Sequence, residues 1–212
     1  MSAQLFEAFY SFVTLLAMVN PIEAAAAFTT LTAGRSPQEQ ARIALRATVV
    51  AAAILLGFSY AGEALLNAMG ISLAAFKIAG GLLLLKVGFD MVFAEKSATG
   101  GAGGPAGPPA SDPSVFPLAI PLISGPGALT AGVTLVSRAH ENRVLADLAF
   151  VAIALVVFAI TYLAMRGSER ITKLLGPIGV DAAGRLVGII VTAIAVQLVV
   201  NGAGSLVHYV VR

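Results

Sequence analysis

Two prolines interrupt long apolar stretches, and the backbone around them is where this sequence could do chemistry. Asn20-Pro21 falls inside the apolar run 5–31, and Gly125-Pro126-Gly127 inside the run 115–136. A proline brings no N–H and clashes with the preceding turn, so each helix is interrupted. Flanking glycines admit close approach of a ligand to the backbone. Each interruption makes two helix ends. The turns starting near Ile22 and Gly127 present N–H groups and a positive dipole end, which favour a carboxylate. The carbonyls ending near Val19 and Ser124 favour a cation or an ammonium group. Together such ends hold a zwitterion, such as an amino acid, without a side-chain ion pair. The simpler reading is two kinks that only shape packing, since proline is frequent in membrane helices. The candidate substrate-binding residues here are Asn20, Pro21, Ser124, Gly125, Pro126, Gly127 and Ala128. Thr29, Thr30 and Thr130 are polar lining candidates that can equally bond to their own i−4 carbonyls, as can Ser124.

Glu23 lies two residues after Pro21. A charged side chain at mid-membrane costs about 2.5 kcal/mol or more, so it should face the bundle interior. It can carry a coupling proton, bind a substrate ammonium, or, protonated, cap the second half-helix. Gln197 and Asn201 are spaced i,i+4 deep in the last apolar run; they can bind ligand or bond to a neighbouring helix. The remaining charges read as structural ion pairs: Glu63 with Lys77 across a short turn, Lys86 with Asp90, and Asp181 with Arg185.

The elements that must position these groups follow from composition. The 212 residues are 58% hydrophobic and 11% charged, with mean hydropathy +0.92; a soluble domain carries about 25% charged residues. The chain reads as an all-α, polytopic membrane protein. Six spans are long enough for the bilayer, at 5–31, 48–66, 71–93, 115–136, 144–165 and 182–207. A Gly/Ala/Pro-rich stretch, 95–113, reads as a flexible linker between a first three-helix repeat, 1–94, and a second, 114–212. The lipid bilayer is the expected partner, and the net charge of +2 bears on orientation rather than on nucleic acid. Arg35, Arg42, Arg46, Lys96, Arg166, Arg170 and Lys173 fall on one side; Arg138, Arg143 and Arg212 fall on the other. The positive-inside rule then puts both termini outside, on the periplasmic face.

The halves echo each other. Pro21 leads into small residues as Pro126 does; Gly70 precedes span three as Gly176 precedes span six; Lys77 before Gly80 matches Arg185 before Gly188. Three spans per half require the second copy to run inverted, which places a substrate site at the repeat interface, near the midplane. Gly184 and Gly188, with Gly80 and Gly81, signal close helix packing and leave a homo-oligomer open. No cysteine is present, and His140 and His208 lie far apart, so no metal site is expected. No nucleotide-binding loop, zinc motif or nucleophile elbow appears, and the chain is not expected to be an enzyme.

The ordered motifs Asn20-Pro21-Ile22, Gly70-Ile71-Ser72 with Phe76-Lys77-Ile78-Ala79-Gly80-Gly81, Pro117-Leu118-Ala119-Ile120-Pro121-Leu122 with Gly125-Pro126-Gly127-Ala128, and Ala193-Ile194-Ala195-Val196-Gln197 with Asn201-Gly202 resemble the MarC family. That family is also called the small neutral amino acid transporter, or SnatA-type, family. The resemblance spans nearly the whole chain outside the linker. It implies an inner-membrane protein of six spans related to LysE-type exporters, carrying glycine, alanine or serine by alternating access between the inverted halves. A coupling proton or sodium ion is the one cofactor-like species it leaves open. The family usually has glycine two residues after the first proline and a charged linker; here stand Glu23 and a nearly neutral one.

Overall fold

The structure is a computed structural model that describes residues 2–93, 112–137 and 143–210. Of the expected linker only Asp112 and Pro113 are described; Lys96, Arg138, His140 and Arg212 lie outside the described residues.

The described residues are all-helical. The elements are α1 (Ser2–Val19), α2 (Pro21–Leu31), α3 (Pro37–Ala68), α4 (Leu73–Phe93), an irregular segment Ser114–Ile123, α5 (Pro126–Ser137), α6 (Arg143–Arg166) and α7 (Ser168–Val210). Local sequence explains their ends. Ser36 and Glu39 form a reciprocal capping box around Pro37, with Ser36 N–H 3.0 Å from Glu39 Oε2; this satisfies donors that the first turn would otherwise leave open. Gly70 (φ 70°) turns the chain from α3 to α4, and Gly176 (φ 65°) bends α7 between its short initial part and its long apolar part. Both sit in the left-handed region that glycine enters without steric cost.

Four stretches are long and apolar enough to cross a membrane: Leu5–Leu31, Pro37–Ala68, Arg143–Arg166 and Asp181–Leu206. Two of the six expected spans are different in kind. Helix α4 has 21 residues, about 32 Å at 1.5 Å per residue, but it carries Lys77, Lys86 and Asp90. The expected span 115–136 is not one broken helix. Only the 12 residues of α5 are regular; ahead of them Phe116 (φ −126°, ψ 126°) and Ile120 (φ −130°, ψ 129°) are extended. Each precedes a proline, whose ring drives its predecessor out of the helical region. Wide-turn hydrogen bonds, Leu118 N–H to Pro113 O and Ser124 N–H to Ala119 O, hold the segment together.

The helices pack crosswise between the two halves of the sequence. α1 and α2 lie on α6, α3 lies on α5 and on Ser114–Ile123, and α4 lies on α7. The α4–α7 pair is antiparallel and runs on glycine. Gly81 faces Ala195 and Val199, Gly88 faces Gly188 and Thr192, and Gly202 faces Ala74 and Ile78. A methyl group on Gly81 would lie 2.9 Å from Ala195 O, and one on Gly202 would lie 2.8 Å from Ala74 O, so backbone would have to move. Small residues are what lets membrane helices approach this closely. Gly188 is part of that contact; Gly184 meets nothing within 4 Å. The other contacts enclose a core that includes Leu15, Phe28, Leu55, Leu118, Ile123, Val157 and Met165. Large apolar side chains also cover the outside, among them Leu82, Leu83, Leu155, Leu163 and Ile189.

Candidate functional site

At the first break Asn20 takes φ 46°, ψ 75°. Pro21 bars its predecessor from the right-handed helix, and asparagine tolerates the left-handed region better than most residues with a Cβ. The turn is short: Asn20 N–H still bonds Leu16 O, and Ala24 N–H bonds Asn20 O, both at 3.0 Å. Pro21 offers no donor to Ala17 O. The Asn20 side chain is almost fully buried, at 6% exposure. Its Oδ1 accepts from Glu23 N–H at 3.4 Å, its Nδ2 donates to Glu23 Oε2 at 2.8 Å, and Nδ2 also approaches Met91 Sδ of α4 at 3.9 Å. The half-buried Glu23 thus has one oxygen served by the residue that makes the break.

At the second break Gly125 O accepts Leu129 N–H at 3.1 Å, and α5 starts at Pro126. The next N–H groups, of Gly127 and Ala128, belong to the first turn, which has no partner within its own helix. A methyl group placed on Gly127 would overlap Leu84 Cδ1 of α4 and come within 3.4 Å of Met18 Sδ. Met18 is two residues before Asn20, so both breaks pack on one face of α4, Gly127 at Leu84 and Asn20 two turns away at Met91.

The remaining candidates divide. Thr29, Thr30 and Thr130 all bond to their own i−4 carbonyls, at 3.0, 3.3 and 2.8 Å. Ser124 instead reaches across to Ala51 O of α3 at 2.7 Å, a tie between elements. Gln197 and Asn201 are not beside the breaks. Gln197 is exposed on the face of α7 turned away from α4, and its Nε2 bonds Asn201 Oδ1 at 2.9 Å. Glu63 accepts from Ser137 Oγ of α5 at 2.8 Å, a different partner from the expected Lys77. Lys86 Nζ lies 3.1 Å from Asp90 Oδ2, and Arg185 Nε lies 2.9 Å from Asp181 Oδ2. Among the described residues no group of three or more metal-ligating side chains occurs.

Sequence reasoning missed Met18, Leu84 and Met91, which pack against the breaks. Gly80, Leu84 and Met91 share one face of α4, with Gly80 against the Thr130 side chain; the i,i+4,i+11 spacing was there to find. It also missed Thr134, whose buried hydroxyl has no partner among the described residues.

In the N-terminal part of α3, before the expected span 48–66, Arg46 pairs with Asp112 at 2.7 Å and so pins the entry to Ser114–Ile123 onto α3. Partial burial pushes the Asp112 carboxyl up, but the Ser114 N–H at 3.0 Å and the Arg46 charge outweigh it and hold it below the ordinary aspartate value.

The sequence profile of the family described as MarC family integral membrane protein matches residues 5–207. The chain belongs to the MarC family. It is 37% identical over 194 residues to a UPF0056 membrane protein of Methanocaldococcus jannaschii, covering 91% of this chain and 93% of that one. It is 36% identical over 195 residues to a UPF0056 membrane protein of Archaeoglobus fulgidus, covering 92% and 91%. The UPF0056 inner membrane protein MarC of Escherichia coli O1:K1 is 31% identical over 200 residues, covering 90% of each. No solved structure matches the chain. As a MarC family member it is an integral membrane protein, and the apolar outer surface described above is the face it turns to lipid.

Proposed function

We infer that this protein is a secondary carrier of small neutral amino acids, of the glycine, alanine and serine class, rather than an enzyme. The observation that carries the reading is the placing of both breaks on α4. Residues 18–23 and 125–128 both pack on one face of α4, the α5 N-terminus at Leu84 and the capped carboxyl group two turns away beside Met91. Irregular backbone at membrane depth persists where it is buried in protein or lines a wet cavity, and carriers use such places for substrate. The α5 N-terminus takes the substrate carboxylate, and the Glu23 carboxylate with carbonyls at the first break takes the ammonium or a coupling proton.

A six-span inverted repeat accounts for the packing. Exchanging α1–α2 with 114–137, α3 with α6, and α4 with the long part of α7 maps each main helix contact onto another. The left-handed Gly70 and Gly176 correspond, and α4 and α7 cross antiparallel, as an axis in the membrane plane requires. The bodies that rock are then the crossed pairs rather than the sequence halves. α3 is tied to the 112–137 strip at three levels, by Arg46–Asp112, by Ser124–Ala51 and by Ser137–Glu63. Arg166 Nη1 reaches Pro37 O, so α6 ends beside the start of α3, at the Arg46 end. That basic end is cytoplasmic by the positive-inside rule, which puts both termini outside.

The apolar contacts of Met18, Leu84 and Met91 at the breaks favour a second reading, an exporter of another small, weakly polar solute. Counterflow in proteoliposomes separates the two. With unlabelled glycine, alanine or serine inside, labelled alanine accumulates transiently in wild type and not in Pro126→Ala. Folded wild-type protein that shows no accumulation with any of the three defeats the amino-acid reading.

A further inference from the structure

We propose that the end of the bundle where α6 meets the start of α3 binds the phosphate of an anionic phospholipid, held by Arg42, Arg166 and Arg170. The inference stands apart from the carrier reading and from any solute site at the breaks.

Two neighbouring helices carry the same pattern in opposite directions. On α3, Arg42, Leu45 and Val49 are exposed and spaced i,i+3,i+7. At the end of α6 and the start of α7, Leu163, Arg166 and Arg170 are exposed with that same spacing. Gly167 N–H still bonds Leu163 O at 2.8 Å, so the face of α6 carries over into the first turn of α7. Such spacing keeps each set on one helix face. The two helices run antiparallel: Tyr60 Oη donates to Asp147 O at 3.2 Å near one end, and Arg166 Nη1 donates to Pro37 O at 3.5 Å near the other. Tyr60 stands about five turns along α3 from Arg42, on the same face at 3.6 residues per turn, so that face borders α6. Both sets therefore have their arginines toward one end of the bundle and their apolar residues deeper.

That end lies at the membrane boundary. The 32 residues of α3 span about 48 Å at 1.5 Å per residue, more than the ~30 Å hydrocarbon core. Arg42 precedes the expected span 48–66 and Val49 falls within it; Arg166 follows the expected span 144–165 and Leu163 falls within it. The protein does not compensate these charges. Glu39 Oε2 is taken up by Ser36, and Asp112 by Arg46. Among the described residues Arg42, Arg166 and Arg170 form no ion pair. A guanidinium fork matches phosphate oxygens two at a time, and basic places between membrane helices hold anionic headgroups. The exposed Leu45, Val49 and Leu163 decide the occupant. A soluble anion leaves them idle, whereas a phospholipid lays its acyl chains along them.

The test is thermal melting of the full chain, delipidated in an uncharged detergent and titrated with dioleoyl phosphatidylglycerol, dioleoyl phosphatidylcholine or glycerol phosphate. Phosphatidylglycerol raises the wild-type Tm saturably; phosphatidylcholine and glycerol phosphate do not. Arg42→Gln/Arg166→Gln moves the midpoint of the phosphatidylglycerol titration at least tenfold higher. That variant also loses the bond to Pro37 O, so Arg42→Gln/Arg170→Gln is run beside it and shows a shift of the same size. Arg143→Gln, at the other end of α6 and 3.9 Å from Asp147, keeps the wild-type midpoint. Wild-type midpoints in both double variants overturn the proposal. Phosphatidylcholine as effective as phosphatidylglycerol overturns it in favour of acyl chains alone. Glycerol phosphate as effective as the lipid overturns it in favour of a soluble anion. None of these outcomes bears on counterflow, so this inference and the carrier reading fail separately.

Discussion

At the first break one residue turns the chain: Asn20 enters the left-handed region, and its own side chain serves Glu23. At the second break the turn is spread over ten irregular residues, then Ser124 and Gly125, and no acidic side chain follows Pro126. Counted from the prolines, Glu23 corresponds to Ala128. The difference teaches that a titratable group is kept only where the break itself supplies a partner. Ala128 is 2% exposed, in the first turn of α5, and Gly125 stands before Pro126 where Asn20 stands before Pro21.

The largest expected effect comes from forcing the second break to resemble the first. Ala128→Glu should destabilise the protein by about 3 kcal/mol or more, the scale for a charged side chain placed in the membrane without help. The readout is yield and melting temperature in detergent, and a wild-type melt would break the comparison. Removing the device at the first break comes next. Asn20→Ala loses the cap, worth about 1 kcal/mol, and puts a Cβ-bearing residue without a compensating bond in the left-handed region, about 1–2 kcal/mol more. Asn20→Gly keeps the turn and loses only the amide, so its melt should fall between Asn20→Ala and wild type. If glycine is as damaging as alanine, the backbone argument fails and the amide alone matters.

Glu23→Gln asks what the surviving acid is for. Substrate exchange should persist while proton-driven accumulation falls about tenfold, about 1.4 kcal/mol of coupling, and its pH dependence disappears. Full accumulation with the wild-type pH profile in this variant would return Glu23 to a capping role. The smallest effect is at the entry to the second break. Because the Asp112 pKa is lowered in the folded state, its contribution is complete above about pH 3.9, the ordinary aspartate value. It is lost as pH falls through the lower folded value. Arg46→Ala should cost under about 1 kcal/mol at neutral pH, as exposed pairs do, with the difference from wild type vanishing in strong acid. A difference that persists unchanged in strong acid would assign the Arg46 effect to packing.

What could be read before the structure depended on whether one residue or a neighbour decides the outcome. Proline and glycine act on their own backbone, so the interruptions at Pro21 and Pro126 could be read from the residues alone; Gly70 and Gly176 were read only as marks of the repeat, and their positive φ came from the structure. The same rule, applied to Phe116-Pro117 and Ile120-Pro121, would have exposed the irregular strip; the apolar run there concealed it. Partners are different. Glu63 went to Ser137 and Ser124 to Ala51 because α3 packs on the second half, which spacing within one helix cannot show. Gln197 looked like a ligand residue by depth alone. Nine residues separate it from Gly188, about 180° around a helix at 100° per residue, so once Gly188 faces α4 the amide must face away.

The crosswise packing also decides when the protein can assemble. Gly88 meets Gly188 only after about 100 further residues have left the ribosome, on the order of 5–20 s of synthesis, and α1 waits longer still for α6. Through that interval α1–α4 have few contacts with each other, such as Phe58 with Phe76 and Asn20 with Met91. Glu23 already has Asn20 and Lys86 already has Asp90, but the glycine face of α4 waits for α7. Biogenesis, rather than the finished fold, is then the stage at which a quality-control protease or an insertase would encounter this chain.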